Sequence, residues 1–265
     1  MKNVLVLLHD DDGQEGRLQA ALDLTRAISG HLMCLDVVVP PELLTDYFTG
    51  AGGAMVMEYA RNREARNRDA VEARLQREDV PWSMLEPASS FEEQLNNAPD
   101  LADIIVVTNP GEHDDSDARH ILGELVVKSD RPILAVRREC RRFDATGHAL
   151  VAWNGSHEAN QALRASAPLL QIAASVTLLE VNNPNGEFSA EDAASYLSRY
   201  GIHAEIVEES TRGPISDAII EKAHEIDATY VVIGAYGLPR SIEAVFGGVT
   251  SGALRKSTVP LLLAH

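Results

Sequence analysis

Runs of branched apolar residues recur along this chain, each followed by a polar turn and then by apolar positions spaced three and four apart. "NVLVLLHDDDGQEGRLQAALDLTRAISGHLMCLDVV" and "HALVAWNGSHEANQALRASAPLLQIAASVTLLEVN" share one plan of strand, turn, helix and strand, which is a β-α-β unit. Later segments pair in the same way, "LADIIVVTNPG" with "IDATYVVIGAYG" and "KSDRPILAVRR" with "KSTVPLLLAH". The chain is an internal duplication, with its seam in the charged, turn-prone residues 137–148.

Each half offers about five strands of near-continuous Val, Ile and Leu alternating with helical segments, the pattern of a parallel sheet covered on both faces. The expected architecture is α/β: two tandem open parallel-sheet domains, residues 1–140 and 147–265, related by a pseudo-twofold axis. In the second half the pattern predicts strands near 148–153, 175–181, 203–208, 229–234 and 259–264, and helices near 156–171, 189–200, 214–226 and 248–256. The two closing strands, "PILAV" and "PLLLA", are expected side by side within one chain. Residues 58–79 carry six arginines and six acids and read as a solvated helix face with weak pairs such as Glu64 with Arg68. The glycine-bearing residues 48–56 read as a connector.

Composition narrows the function. Acids outnumber Lys and Arg 40 to 23, a formal charge of -17, which argues against a nucleic-acid partner because such affinity comes from neutralising phosphates. No apolar run is long enough to span a bilayer, and the opening "MKNVLVLLHDDD" has too short an apolar stretch for a signal peptide, so the chain reads as cytoplasmic. Cys34 and Cys140 fit neither a disulfide framework nor a zinc site and read as free thiols.

The stretch with the most chemistry is "GAYGLPRSIEAVFGGVTSG". It leaves the carboxyl end of a predicted parallel strand, where open α/β sheets bind ligands, and its last glycines precede a helix whose first amides would face an anion. It lacks the Lys-Ser or Lys-Thr of a P-loop and the spacing of a dinucleotide fingerprint.

Its glycine spacing resembles the nucleotide loop of the universal stress protein family, G-x2-G-x9-G-[Ser/Thr], as Gly234, Gly237, nine residues, then Gly247. "HALVAWNGSHEANQAL" is similar to the family's opening strand and turn, and "TVPLLLAH" to its closing strand. The resemblance implies a tandem stress-response protein that binds an adenine nucleotide such as ATP, at most one per chain, and leaves Mg2+ and any protein partner unassigned. It implies that Ala152, Asn154 and Val181 flank adenine and ribose, and that Ile233, Gly234, Tyr236, Gly237, Gly247, Gly248, Val249 and Thr250 wrap ribose and phosphates, with Arg240 as a charged contact. The family's hydroxyl after the third glycine is replaced by Gly248, and the opening-turn Asp by Asn154.

The first-half counterpart, "TNPGEHDDSDARHILGEL", keeps Gly111 but has Thr108 in place of Gly234 and sets Glu112, Asp114, Asp115, Asp117 and Glu124 where an anion would sit, so it is not expected to hold a triphosphate. Two rival readings stay open: a nucleotide-independent module for homodimerisation or partner docking, and a slow ATP hydrolase, for which no positioned base or metal ligand set is visible. Ser156 in "NGSHEA" reads as a helix cap rather than a nucleophile, and Thr250 in "GVTSG" lacks the partners of a nucleophile elbow. Asp10, Asp11 and Asp12 read as a solvated turn.

Overall fold

The computed structural model describes residues 1–37, 51–85, 98–111, 116–182, 188–235 and 248–264. The first half runs β1 (Asn3–Leu8), α1 (Gln14–Ala27), β2 (His31–Asp36), α2 (Ala51–Leu75), β3 (Trp82–Leu85), β4 (Ile104–Asn109), α3 (Ser116–Lys128) and β5 (Ile133–Arg137). The second half repeats it as β6 (His148–Trp153), α4 (His157–Leu170), β7 (Ser175–Val181), α5 (Ala190–Ser198), β8 (Ala204–Glu209), α6 (Ile215–Glu225), β9 (Tyr230–Gly234), α7 (Gly248–Lys256) and β10 (Leu261–Ala264).

All ten strands join one sheet in the order β3-β2-β1-β4-β5-β10-β9-β6-β7-β8. Read outward from the centre, each half has the same order, and every pairing within a half is parallel. The halves meet where β5 and β10 pair antiparallel, Leu261 opposite Ala135 and Leu263 opposite Ile133, as the pseudo-twofold arrangement requires. The physical reason lies in those strands. Ile133, Leu134, Ala135, Leu261, Leu262 and Leu263 are all at most 2% exposed, and an apolar edge of this kind is left open only at the risk of aggregation.

Alternation along each strand sends side chains to two cores. Val4, Val6 and Leu8 of β1 pack with α1, α4, α5 and the Val71 and Leu75 end of α2 on one face, whereas Leu5 and Leu7 pack with α3, α6 and α7 on the other. This double burial explains why the strands read as continuous apolar runs.

The expected elements of the second half match the observed ones to within two residues at each end. The glycine-bearing stretch 48–56 differs: from Ala51 onward it is the first part of α2. A glycine costs a helix only about 1 kcal/mol, and the long run of good helix formers behind Gly52 and Gly53 propagates through them. Cys34 and Cys140 are both free, and burial pushes the Cys34 thiol up to about 12. Among the described residues no helix is long and apolar enough to cross a membrane.

Candidate functional site

A cavity of about 100 Å3 opens at the carboxyl ends of β6, β7 and β9, between the amino ends of α4 and α7. Its walls are apolar: Ala152 from β6, Leu179 and Val181 from β7, Ile233 from β9, and Ile215 and Ile219 one turn apart on α6. The polar side chains of the lining are Asn154 and Ser156 from the turn after β6 and Thr250 from α7. An apolar slot with a few convergent polar groups suits a flat, partly polar ring system. Of the residues singled out above, Ala152, Asn154, Val181, Ile233, Gly234, Val249 and Thr250 line this one cavity, and Gly248 begins the helix beside it. Tyr236, Gly237, Arg240 and Gly247 lie outside the described residues.

The turn after β6 is built by its own side chains. Asn154 Oδ1 accepts from the Ser156 amide at 3.1 Å, Gly155 takes φ +67°, and Ser156 Oγ accepts from the Ala159 amide at 3.2 Å. Ser156 is thus the cap of α4, as its place before the apolar periodicity predicts. Thr250 donates to the Gly234 carbonyl at 3.1 Å, which fastens α7 to the end of β9 and engages its hydroxyl proton.

Two glycines have roles other than those their spacing suggests. Gly234 has an ordinary backbone conformation; a Cβ there would lie 2.7 Å from the Ala159 nitrogen, so the glycine admits the amino end of α4 rather than a ligand. Gly248 does need its freedom, at φ +77°, and has open space around it. A serine there would fit in volume but would hold a left-handed backbone at a cost of about 1–2 kcal/mol.

At the carboxyl ends of β1 and β4 in the first half a buried arginine gathers the polar groups. Arg17 on α1 is 3% exposed and spends its donors on the chain itself: Nε to the Leu7 carbonyl at 2.6 Å, Nη2 to the His9 carbonyl at 2.8 Å, and Nη1 to Asp11 Oδ1 at 2.6 Å and Thr108 Oγ1 at 2.9 Å. Asp10 pairs with Arg63 at 2.6 Å, so two of the three acids of this turn are engaged by arginines. Beside them His9 Nδ1 lies 2.9 Å from Glu64 Oε1, with both residues buried. Burial pulls the His9 pKa down, but the hydrogen bond and charge of Glu64 outweigh it and the net movement is up. Asp36, buried with Oδ1 unpartnered, has its carboxyl raised to about 6, first by burial and then by the Glu64 charge.

Glu64 therefore does not belong to a solvated face. It is 3% exposed and turned to His9, while Arg68 pairs with Glu72. Alternating charge along α2 marks the helix but cannot say which acid meets the turn after β1. Of the acids expected to repel an anion, Glu124 is paired with Lys128 on α3; Glu112, Asp114 and Asp115, and the Asp117 side chain, lie outside what is described. The site residues that sequence reasoning missed, Ile215, Ile219 and Leu179 among them, carry no signal apart from hydrophobicity and look like any core position.

Residues 146–265 match the model of the universal stress protein family. A universal stress protein from Archaeoglobus fulgidus DSM 4304 superposes with a TM-score of 0.75 at 16% identity, covering 99% of this chain and 95% of that one. A protein from Pseudomonas aeruginosa UCBPP-PA14 named for the same family gives 0.55 at 15% identity, covering 99% and 92%. No curated protein matches the chain in sequence. Residues 146–265 thus match the universal stress protein family, and the whole chain shares the fold of those solved structures.

Proposed function

We propose that this chain is a cytoplasmic stress-response protein of two domains, residues 1–140 and 147–265, that binds a single adenine nucleotide, weakly, in the second. One observation carries the reading. Of the residues to which the family resemblance points, Ala152, Asn154, Val181, Ile233, Gly234, Val249 and Thr250, which lie far apart in sequence, line one largely apolar cavity at the carboxyl end of a parallel sheet. Adenine would sit among Ala152, Val181, Ile215 and Ile219, with the phosphates toward the amino end of α7 and the loop before it. The first half is read as empty of ligand because Thr108, which stands where the second half has Gly234, is bound to the buried Arg17.

Weak binding follows from Gly248, since a missing hydrogen bond to a charged phosphate is worth about 1.5–3 kcal/mol. Restoring it as Gly248→Ser returns little, because the left-handed backbone offsets the gain. A cleaner test is Ala152→Phe, which fills the cavity from a half-buried position. Calorimetry with ATP and AMP should find one site per chain, weakened at least about tenfold by the substitution. Two equivalent sites, or an unchanged affinity in Ala152→Phe, would overturn the proposal and leave the chain an interaction module.

A further inference from the structure

A second cavity, of about 440 Å3, lies at the seam of the two halves. The stretch after β5 supplies Arg137, Glu139, Cys140 and Arg142, and the turn before β10 supplies Thr258 and Pro260. In a chain of formal charge -17, the four arginines between 137 and 142 are a local excess of positive charge. The cavity's one carboxylate does not cancel it. Arg138 Nε donates to Glu139 at 2.7 Å and, with Arg137 nearby, keeps that carboxyl below its usual range.

The two lining arginines are only partly neutralised among the described residues. Arg142 has a side chain 80% exposed and reaches Asp144 only at 3.8 Å. Arg137 lies across Gly111, where a Cβ would overlap its guanidinium; its buried Nη1 has no hydrogen-bond partner among the described residues, and its charge faces Glu139, which Arg138 already binds. Four arginines against Glu139 and Asp144 leave this stretch a net positive charge, which projects positive potential into the adjoining space. Thr258 adds a hydroxyl, 3.4 Å from His224 Nε2 and therefore little constrained.

We propose that this seam cavity binds a small molecule through a phosphate group, with Arg137 and Arg142 supplying charge and Thr258 a neutral donor. Donors arriving from both sides of a cavity suit the tetrahedral anion; a planar carboxylate would be satisfied by one guanidinium fork. A polynucleotide is disfavoured by the charge of the rest of the chain. Because the lining comes from both halves, an occupant would bridge the stretch after β5 to the turn before β10 and stabilise their pairing by mass action.

Pyrophosphate is the probe, and Cys140 the local reporter, since it lines the cavity while Cys34 is buried. At a pyrophosphate concentration ten times Kd, maleimide labelling of Cys140 in the full chain should slow about tenfold, with chloride at equal ionic strength as the control. Arg142→Glu reverses a charge on an exposed side chain, so the fold is kept; it should weaken pyrophosphate binding at least about tenfold and remove the protection. Unchanged Cys140 labelling, with or without binding heat, would overturn the proposal, as would full affinity in Arg142→Glu.

Discussion

The carboxyl end of the β1/β4 pair and that of the β6/β9 pair are the same place in two copies of one fold, and they have opposite contents. In the first, Thr108 stands where the second has Gly234, and Gly13 stands where the second has the helix cap Ser156. The close contacts differ. A Cβ on Gly13 would come within 2.5 Å of the Thr108 hydroxyl, whereas a Cβ on Gly234 would strike the Glu158 and Ala159 backbone of α4. In the first half the strand end carries a hydroxyl that accepts from Arg17; in the second it carries none. Two copies of one fold thus keep the same strand order while the same strand ends carry an apolar cavity in one and a buried arginine with its acceptors in the other.

The comparison breaks most readily at Arg17. Arg17→Ala would leave Asp11 and the Leu7 and His9 carbonyls without their buried donor, and should cost about 3–5 kcal/mol in urea unfolding. A loss under about 1 kcal/mol would mean that the buried arginine is not structural. Next, Gly234→Thr places the first half's residue in the second half. It should cost about 1–3 kcal/mol by overpacking against Ala159 and Glu158 and should remove nucleotide binding with it; a stable variant that still binds would show that the contact at Gly234 has room for a side chain.

The smallest effect expected belongs to Asp36, which faces Glu64, His9 and Arg68. Its carboxyl is raised to about 6 in the fold, so the stability it contributes is complete below about pH 4 and is lost as pH rises through 6, when the buried group must ionise beside Glu64. Asp36→Asn should therefore stabilise the protein by about 1–2 kcal/mol at pH 8 and by much less at pH 5, read from urea midpoints at the two values. A gain that grows toward low pH would reverse the assignment.

Most of the architecture was legible because its causes are local and repeated. Parallel strands buried on both faces must be apolar throughout, and a duplication shows twice whatever one copy shows faintly, so the β-α-β plan, the seam and the second-half element boundaries could be read directly. The end of the sheet at which the cavity opens was legible for a related reason. Glycine spacing after "TYVVI" is tied to one end of one strand, and Asn154 and Ser156 act on neighbours within three residues.

Other features depend on segments distant in sequence. Ile215 and Ile219 line the cavity only because α6 covers the end of β7, and nothing in an apolar i, i+4 pair distinguishes a wall from a core. Glu64 looks solvated in an alternating charge pattern and becomes buried only when α2 lies against His9, more than fifty residues earlier. Gly234 looks like a ligand glycine until the amino end of α4 is seen against it. The sequence by itself determined the layers, the repeat and the end of the sheet at which chemistry could occur, because periodicity and turn residues act over short range. Only the tertiary structure decided that one copy carries a cavity at this end and the other a buried arginine, because a buried charge such as Arg17 is stable only where acceptors from β1, its following turn and β4 converge on its donors.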